Sequence, residues 1–473
     1  MFRIDPDAGG VPALAATVAG PALAGPGGER PARAAPPLAR ALTRLFRLSA
    51  DVRPAELGTT VVMTLSVFLL LTAYYLLKTA REPLILLGGG AEVKSYASAG
   101  QALILLGVVP AYAAVARRVG RLRLLSVVYF FFVADLLVFA VLTRQEVRVG
   151  VPFYLWVGVF NYTAIAQFWG FAADIYSAEQ GKRLFAVLGI GSSVGAVAGA
   201  RIAKALVHRG PAVLMLGAAV ILTACVFLYA WVDARAQRRP TREDPASPEP
   251  IGGPNAFQLL VRDRYLQLIA ALTLVLNWVN SNGEYLLDRT LLAALRERGN
   301  GVDAAAFIGS FKADYFAWVN LAGVLLQVFA VSRILKVAGV RRALFLLPVV
   351  SFFSYGMMWL APALALIRIG KVAENSLDYS LQNTARQALY LVTSRVEKYV
   401  GKTTVDTLFV RLGDVLSAAV VWLGSRLVAS TGSFAALNLL LIVLWMGLVR
   451  AIGSEHRRRD QQAPDDAAVQ VAP

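Results

Sequence analysis

The chain has 473 residues, of which 57% are hydrophobic and only 16% charged, and its mean hydropathy is +0.58. Soluble globular domains run at about 45–50% apolar and about 25% charged residues, so a water-solvated body is excluded and lipid is the solvent for most of the chain. One cysteine, Cys225, rules out an intramolecular disulfide, and two histidines, His208 and His456, leave no histidine cluster for a metal and no histidine relay for a nucleophile. The net charge of +17 comes from 47 Lys and Arg against 30 Asp and Glu. That excess fits cytoplasmic loops lying on anionic lipid, with a share left to steer an anionic solute.

Residues 1–55 are rich in Ala, Pro and Gly and read as a disordered tail without the order of a signal peptide. Within it Pro37 to Leu48 carries Arg40, Arg44 and Arg47 at helical spacing, a short amphipathic helix for the inner leaflet. Apolar stretches of membrane-crossing length are predicted near 58–78, 95–116, 123–143, 151–175, 184–207 and 211–232. A polar linker, DARAQRRPTREDPASPEPIGGPN, follows. Six more are predicted near 265–293, 315–335, 342–361, 363–392, 405–429 and 433–452, and a disordered tail from 454 to 473 closes the chain. The expectation is an all-α membrane protein of about twelve transmembrane helices in two six-helix halves, 56–233 and 257–453, joined by a cytoplasmic linker at 234–256. This layout resembles the major facilitator architecture. Arginines and lysines follow the even-numbered spans, among them Arg117, Arg118, Arg235, Arg333 and Arg450, which places those loops and both termini in the cytoplasm. Weak internal repetition, such as Tyr176, Ser177 and Arg183 against Tyr379, Ser380 and Arg386, favours a duplicated fold.

Ionisable residues at membrane depth face a cavity or a partner. Lys78 and Arg81, with Glu82, close span one in YYLLKTAREPL; three residues apart, the two cations share a helix face. They form either a cationic clamp for an anion or a snorkelling pair at the membrane edge. Span four ends in Asp174, Glu179, Lys182 and Arg183, a second candidate cluster whose plainer role is an ion pair between helix ends. Span seven carries Asn277, Asn280, Asn282, Gly283, Glu284 and Asp288, a pattern that suggests a broken helix lining a polar cavity. Glu284 and Asp288 lie four apart and need a cation between them. Span ten sets Glu374, Asp378 and Gln382 along one face, with Lys371, Asn383 and Arg386 nearby, and must line an aqueous path or pair with its neighbours. In span five, Gly191, Gly195 and Gly199 recur every four residues, a surface for close helix packing rather than a nucleotide loop, which needs a preceding strand.

FWGFAADIYSAEQGKRLFAVLGIGSSVGA, across spans four and five, resembles the signature of the ATP/ADP translocase family of nucleotide transporters. ENSLDYSLQNTARQALYLVTSRVEKYVGKTTVDTLFVRLGDVLSAAVV, in spans ten and eleven, resembles that family's broader bacterial branch. The resemblance implies a major-facilitator-like fold and exchange of ATP for ADP, or nucleotide uptake, across a bacterial inner membrane. It also implies four charged transport positions. They fall on Arg81, with Lys78 on the earlier basic position; on Glu179, shifted outward by one from the place before Lys182; on Glu284; and on Arg386. Two family lysines thus stand as arginines, which differ in donor geometry. The expected partner is a small anionic solute, a nucleotide above all, with the lipid bilayer around a monomer and no nucleic acid; no cofactor, metal or enzyme chemistry is expected. A carrier of another anion (organic phosphate, nucleotide sugar or carboxylate) and a non-transporting scaffold or sensor stay open beside it.

Overall fold

A computed structural model describes Arg53, residues 56–116, 118–237, 256–393, Glu397, residues 401–427 and residues 430–469. The stretch Pro37 to Leu48 and most of the polar linker lie outside them. All regular elements among the described residues are helical. They are α1 (Leu57–Ala116), α2 (Arg121–Arg144), α3 (Gly150–Ile175), α4 (Ala178–Leu206), α5 (Pro211–Gln237), α6 (Ala256–Arg262) and α7 (Arg264–Glu297). These are followed by α8 (Ala304–Leu326), α9 (Ser332–Leu360), α10 (Leu364–Leu377), α11 (Asn383–Leu389), α12 (Val410–Arg426) and α13 (Thr431–Val469). Widened π turns join α8 to α9 at Gln327–Val331 and α10 to α11 at Asp378–Gln382.

Among the described residues, seven helical stretches are long and apolar enough to cross a membrane. Two of them, Leu57–Val108 and Ala304–Leu360, have 52 and 57 residues, more than twice the ~20 that a single crossing needs. Each is interrupted at one glycine with positive φ, Gly90 (φ 79°) and Gly339 (φ 72°), a conformation that a side chain would oppose. Span one was expected to end near Lys78; the first arm of α1 instead continues to the glycines at 88–90, so Lys78 and Arg81 sit well inside a helix. Helix starts follow local chemistry. Ser177 and Gln180 form a reciprocal cap on α4, and Asp263 and Asp303 accept backbone N–H groups at the heads of α7 and α8.

Two apolar cores form. One packs α1 to α5 around Tyr129, Tyr229, Phe153 and Phe168. The other packs α7 to α13 around Tyr265, Tyr315, Tyr355 and Trp445, and reaches α1, α3 and α4 through Ile85, Tyr154 and Ala200. The glycine stripe of α4 does what its spacing implies. A Cβ at Gly195 would land on the Phe68 carbonyl of α1 and one at Gly199 on the Thr72 carbonyl, so the two backbones touch.

Two expectations are corrected. Span seven is not broken: α7 runs through Asn277, Asn280, Asn282 and Gly283 without interruption. Gly283 gives room instead, because a Cβ there would fall on the Tyr355 hydroxyl. The C-terminal segment read as a disordered tail continues α13 as helix to Val469. It is tied back to the head of α7, where His456 Nδ1 lies 2.8 Å from the Tyr265 hydroxyl and Arg459 lies 2.5 Å from Asp263.

Candidate functional site

A cavity of about 170 Å³ lies between the two cores, walled by α1, α3, α7, α8, α10 and α12, with Tyr379 of the adjoining π turn. Its charged wall starts on α1, whose first arm brings Lys78, Arg81 and Glu82 and whose second arm brings Lys94 and Ser98. Asn280, Glu284 and Asp288 of α7 face them. Behind Asp288 stands Lys312 of α8, completely buried.

The charges form one continuous network. Lys94 Nζ is 2.5 Å from Glu82 and 2.7 Å from Asp288. Lys312 Nζ is 2.5 Å from Asp288, a charge contact without hydrogen-bond alignment, 3.7 Å from Glu284 and 3.8 Å from Glu82. Arg81 reaches Glu82 at 3.1 Å and lies 4.5 Å over the Tyr154 ring. Three cations thus face three carboxylates in the network. Burying such charges singly is prohibitive, and each of these has a partner of opposite sign at this depth. Lys78 is placed differently. Among the described residues no carboxylate lies within 4.0 Å of it, and its ammonium rests 4.2 Å over the Phe316 ring and 5.2 Å over that of Tyr75. It is the cation with donors to spare.

Polar and aromatic groups complete the wall. Glu284 accepts from the Tyr315 hydroxyl at 2.6 Å and from Asn375 at 3.0 Å. Tyr75 donates to Asn320 at 3.0 Å. Tyr154, Phe316 and Tyr379 offer ring faces. Ammonium, guanidinium and ring faces together suit a planar, anionic solute. Among the described residues no group of three or more metal-ligating side chains gathers.

Of the residues singled out from the sequence, the structure brings together Lys78, Arg81, Asn280, Glu284 and Asp288. The others lie elsewhere. Glu179 is at the surface, 3.8 Å from Arg53 with its side chain 79% exposed. The Lys182 side chain falls outside the described residues. Arg386 turns to Asp406 at 3.8 Å. Asp378 lines a small separate cavity with Trp445 and Ser351. Gln382 is buried below the π turn and Asn383 is exposed. The Glu374–Asp378–Gln382 face is twisted apart because the π turn begins at Asp378. Glu374 pairs instead with Lys371 at 3.0 Å. Sequence reasoning missed Lys94 and Lys312. Both are lysines inside helices of membrane-crossing length, in EVKSYASAG and FIGSFKADYFAW, and a charge at that depth was the available signal.

Further ion pairs between the two cores collect at one end of the bundle, where α4 ends and α8 begins. Asp314 of α8 is 2.6 Å from Lys204, 3.4 Å from Arg201 and 4.0 Å from Arg368.

An all-helical bundle of this kind, with a charged cavity between its two cores, is a fold known from transporters. Solved structures share it. A POT family transporter in complex with 5-aminolevulinic acid superposes with a TM-score of 0.62 over 85% of this chain and 96% of that one at 11% identity. A mutant of the nucleoside transporter NupG gives 0.61 over 84% and 99% at 10% identity. The chain belongs to the TLC ATP/ADP transporter family, whose sequence model matches residues 153–456. It is 22% identical over 327 residues to ADP,ATP carrier protein 1 of Chlamydia pneumoniae, covering 59% of this chain and 62% of that protein. It is 23% identical over 317 residues to the chloroplastic ADP,ATP carrier protein 2 of Arabidopsis thaliana, covering 60% and 50%. The chain thus spans between half and two thirds of the curated relatives it matches, and α1, which carries four of the cavity's charges, precedes the family match.

Proposed function

We propose that this protein exchanges adenine nucleotides, ATP against ADP, across a bacterial inner membrane by alternating access. Its twelve spans would form two six-helix halves, the bends at Gly90 and Gly339 separating spans one from two and eight from nine, with both termini in the cytoplasm. The observation that carries the reading is the cavity, into which Lys78, Arg81 and Lys94 are brought and in which Lys78 is seated on aromatic rings, with no carboxylate within 4.0 Å among the described residues. Phosphate oxygens would take Lys78 and Arg81, and the base would lie against the rings of Tyr75, Phe316 or Tyr379. In the present conformation the Lys94–Asp288, Lys312–Glu82 and Lys204–Asp314 pairs hold the halves together at the end where α4 stops, so solute enters from the opposite, cytoplasmic end. A bound polyanion competes with Glu82 and Asp288 for Lys94 and Lys312. It thereby loosens the pairs that must part for the other end to open, which favours reorientation of the loaded site. The relatives named as ADP,ATP carriers support the choice of nucleotide.

A second reading, carriage of another phosphorylated or carboxylated metabolite, is favoured by arginine at position 81 and by the surface position of Glu179. Proteoliposomes loaded with ADP decide between them. Uptake of labelled ATP that requires internal ADP and falls at least about tenfold in Lys78→Gln supports nucleotide exchange. Uptake of an organic phosphate in preference to ATP, with the same dependence on Lys78, keeps the carrier and changes its cargo. No flux of any anion leaves a scaffold.

A further inference from the structure

On the outer surface of the second core, away from the cavity, α8 and α10 border an apolar groove of about 1460 Å³. Its wall is made of exposed large apolar side chains, among them Trp318, Leu325, Phe329 and Ile369. Between Phe307 and Phe329 it follows α8 and the π turn after it, roughly 33 Å at ~1.5 Å per residue, the depth of a bilayer's hydrocarbon core. Its cations sit at one end only. Arg298, in the turn after α7, lies 4.5 Å over the Phe307 ring, and Arg368, just inside α10, lies 5.1 Å over the Phe311 ring. The far end is lined by Phe329, Ala330, Val350 and Leu377.

We propose that this groove is a binding site for an anionic phospholipid, its phosphate held between Arg298 and Arg368 and its acyl chains laid along α8. Three features argue for an amphiphile with a negative head. The polarity of the groove is one: guanidinium at the interfacial end and hydrocarbon along the rest is the charge pattern of a phospholipid in reverse. The seating of the arginines is the second. Each is pinned over a ring, so its N–H edge is presented without loss of side-chain freedom on binding. The third is the state of the nearby carboxylates. Asp314 is already engaged by Lys204 at 2.6 Å and Arg201 at 3.4 Å, and Arg368 stands off at 4.0 Å with donors unspent. Glu297 is the remaining carboxylate on the rim, so the local balance stays positive with two arginines against one. Because Arg368 also touches the Asp314 cluster between the two halves, a phosphate that recruits it draws one cation from that closure.

The full-length protein in detergent, titrated with dioleoyl phosphatidylglycerol, dioleoyl phosphatidylcholine or sn-glycerol 3-phosphate and read by native mass spectrometry, tests the site. The expected result is about tenfold tighter retention of phosphatidylglycerol than of phosphatidylcholine, the scale of one charge-assisted hydrogen bond. In Arg298→Gln/Arg368→Gln that ratio falls to about one. Ala322→Trp, which fills the groove and leaves both arginines, lowers retention of both lipids. Since Arg298 is exposed in a turn, Arg298→Gln alone gives a folded reporter if the double variant does not assemble. Equal retention of the two lipids, a preference that survives loss of the arginines, or equal binding of glycerol 3-phosphate would overturn the proposal. So would a groove occupied by a second copy of the chain rather than lipid.

Discussion

Lys312 is the buried centre of the charge network, and its removal gives a graded prediction. Lys312→Met leaves Asp288 with Lys94 at 2.7 Å, leaves Glu82 with Lys94 and Arg81, and strips Glu284 of its nearest cation at 3.7 Å. Removing one partner of a buried pair costs about 3–5 kcal/mol, and because Asp288 keeps Lys94 the lower end, about 3 kcal/mol, is expected. Asp288→Asn alone leaves the fully buried Lys312 only Glu284 and Glu82, both beyond 3.5 Å, and should cost toward the upper end, about 5 kcal/mol. The double variant removes one charge of each sign and so restores the charge balance of the parent network. It should be more stable than the sum of the two losses by about 2 kcal/mol. Equilibrium unfolding in mixed micelles by titration with dodecyl sulfate measures all four corners. Losses that add to within about 0.5 kcal/mol would refute the claim that these charges act as one unit.

Gly195→Val drives a branched side chain into the Phe68 carbonyl, so α1 and α4 must separate; the expected outcome is a sharp loss of folded monodisperse protein on gel filtration, while Gly189→Ala, which meets nothing, leaves it intact. Asp314→Asn removes the acceptor shared by Lys204, Arg201 and Arg368. In a Cys225→Ala background, Ser98→Cys in the cavity wall should then react several-fold faster with an impermeant thiol reagent from the outer side, and an unchanged rate would exclude Asp314 from the closure. At the head of α1, burial raises the Glu56 carboxyl, but the bonds it accepts from Gln180 and Arg183 outweigh that and hold it below its ordinary 4.5. Its contribution is therefore fully present above that value and lost as pH falls through the lowered one. Melting temperature against pH should drop on the acid side in the parent and drop less steeply in Glu56→Gln.

The helices were legible because lipid demands apolar runs of fixed length, and α2, α3 and α5 lie within a few residues of the stretches read from sequence. The bend positions were not, since GGGAEV reads as an ordinary loop until the backbone shows that helix resumes directly after Gly90. In the site, local spacing found Glu284 with Asp288 and Lys78 with Arg81, because each pair shares one helix face. It could not find Lys94 and Lys312, whose meaning comes from carboxylates about 194 and 230 positions away along the chain at the extremes. The placing of Arg386 rested on motif likeness; the π turn at Asp378–Gln382 rotates that end of the helix and directs it to Asp406.

The glycine junctions carry one more consequence. Between most neighbouring helices of this bundle a few irregular residues intervene, and their number can change without disturbing the helices they connect. At Gly90 and Gly339 nothing intervenes: whatever change of direction occurs is concentrated in the torsions of one residue. The axial stagger of the helical arms on either side is then set by a single pair of angles and not by the thickness of the surrounding bilayer. An insertion of even one residue there would rotate the following arm by about 100°, carrying Lys94 away from Asp288, so length variation at these two points should be nearly absent where it is commonplace elsewhere.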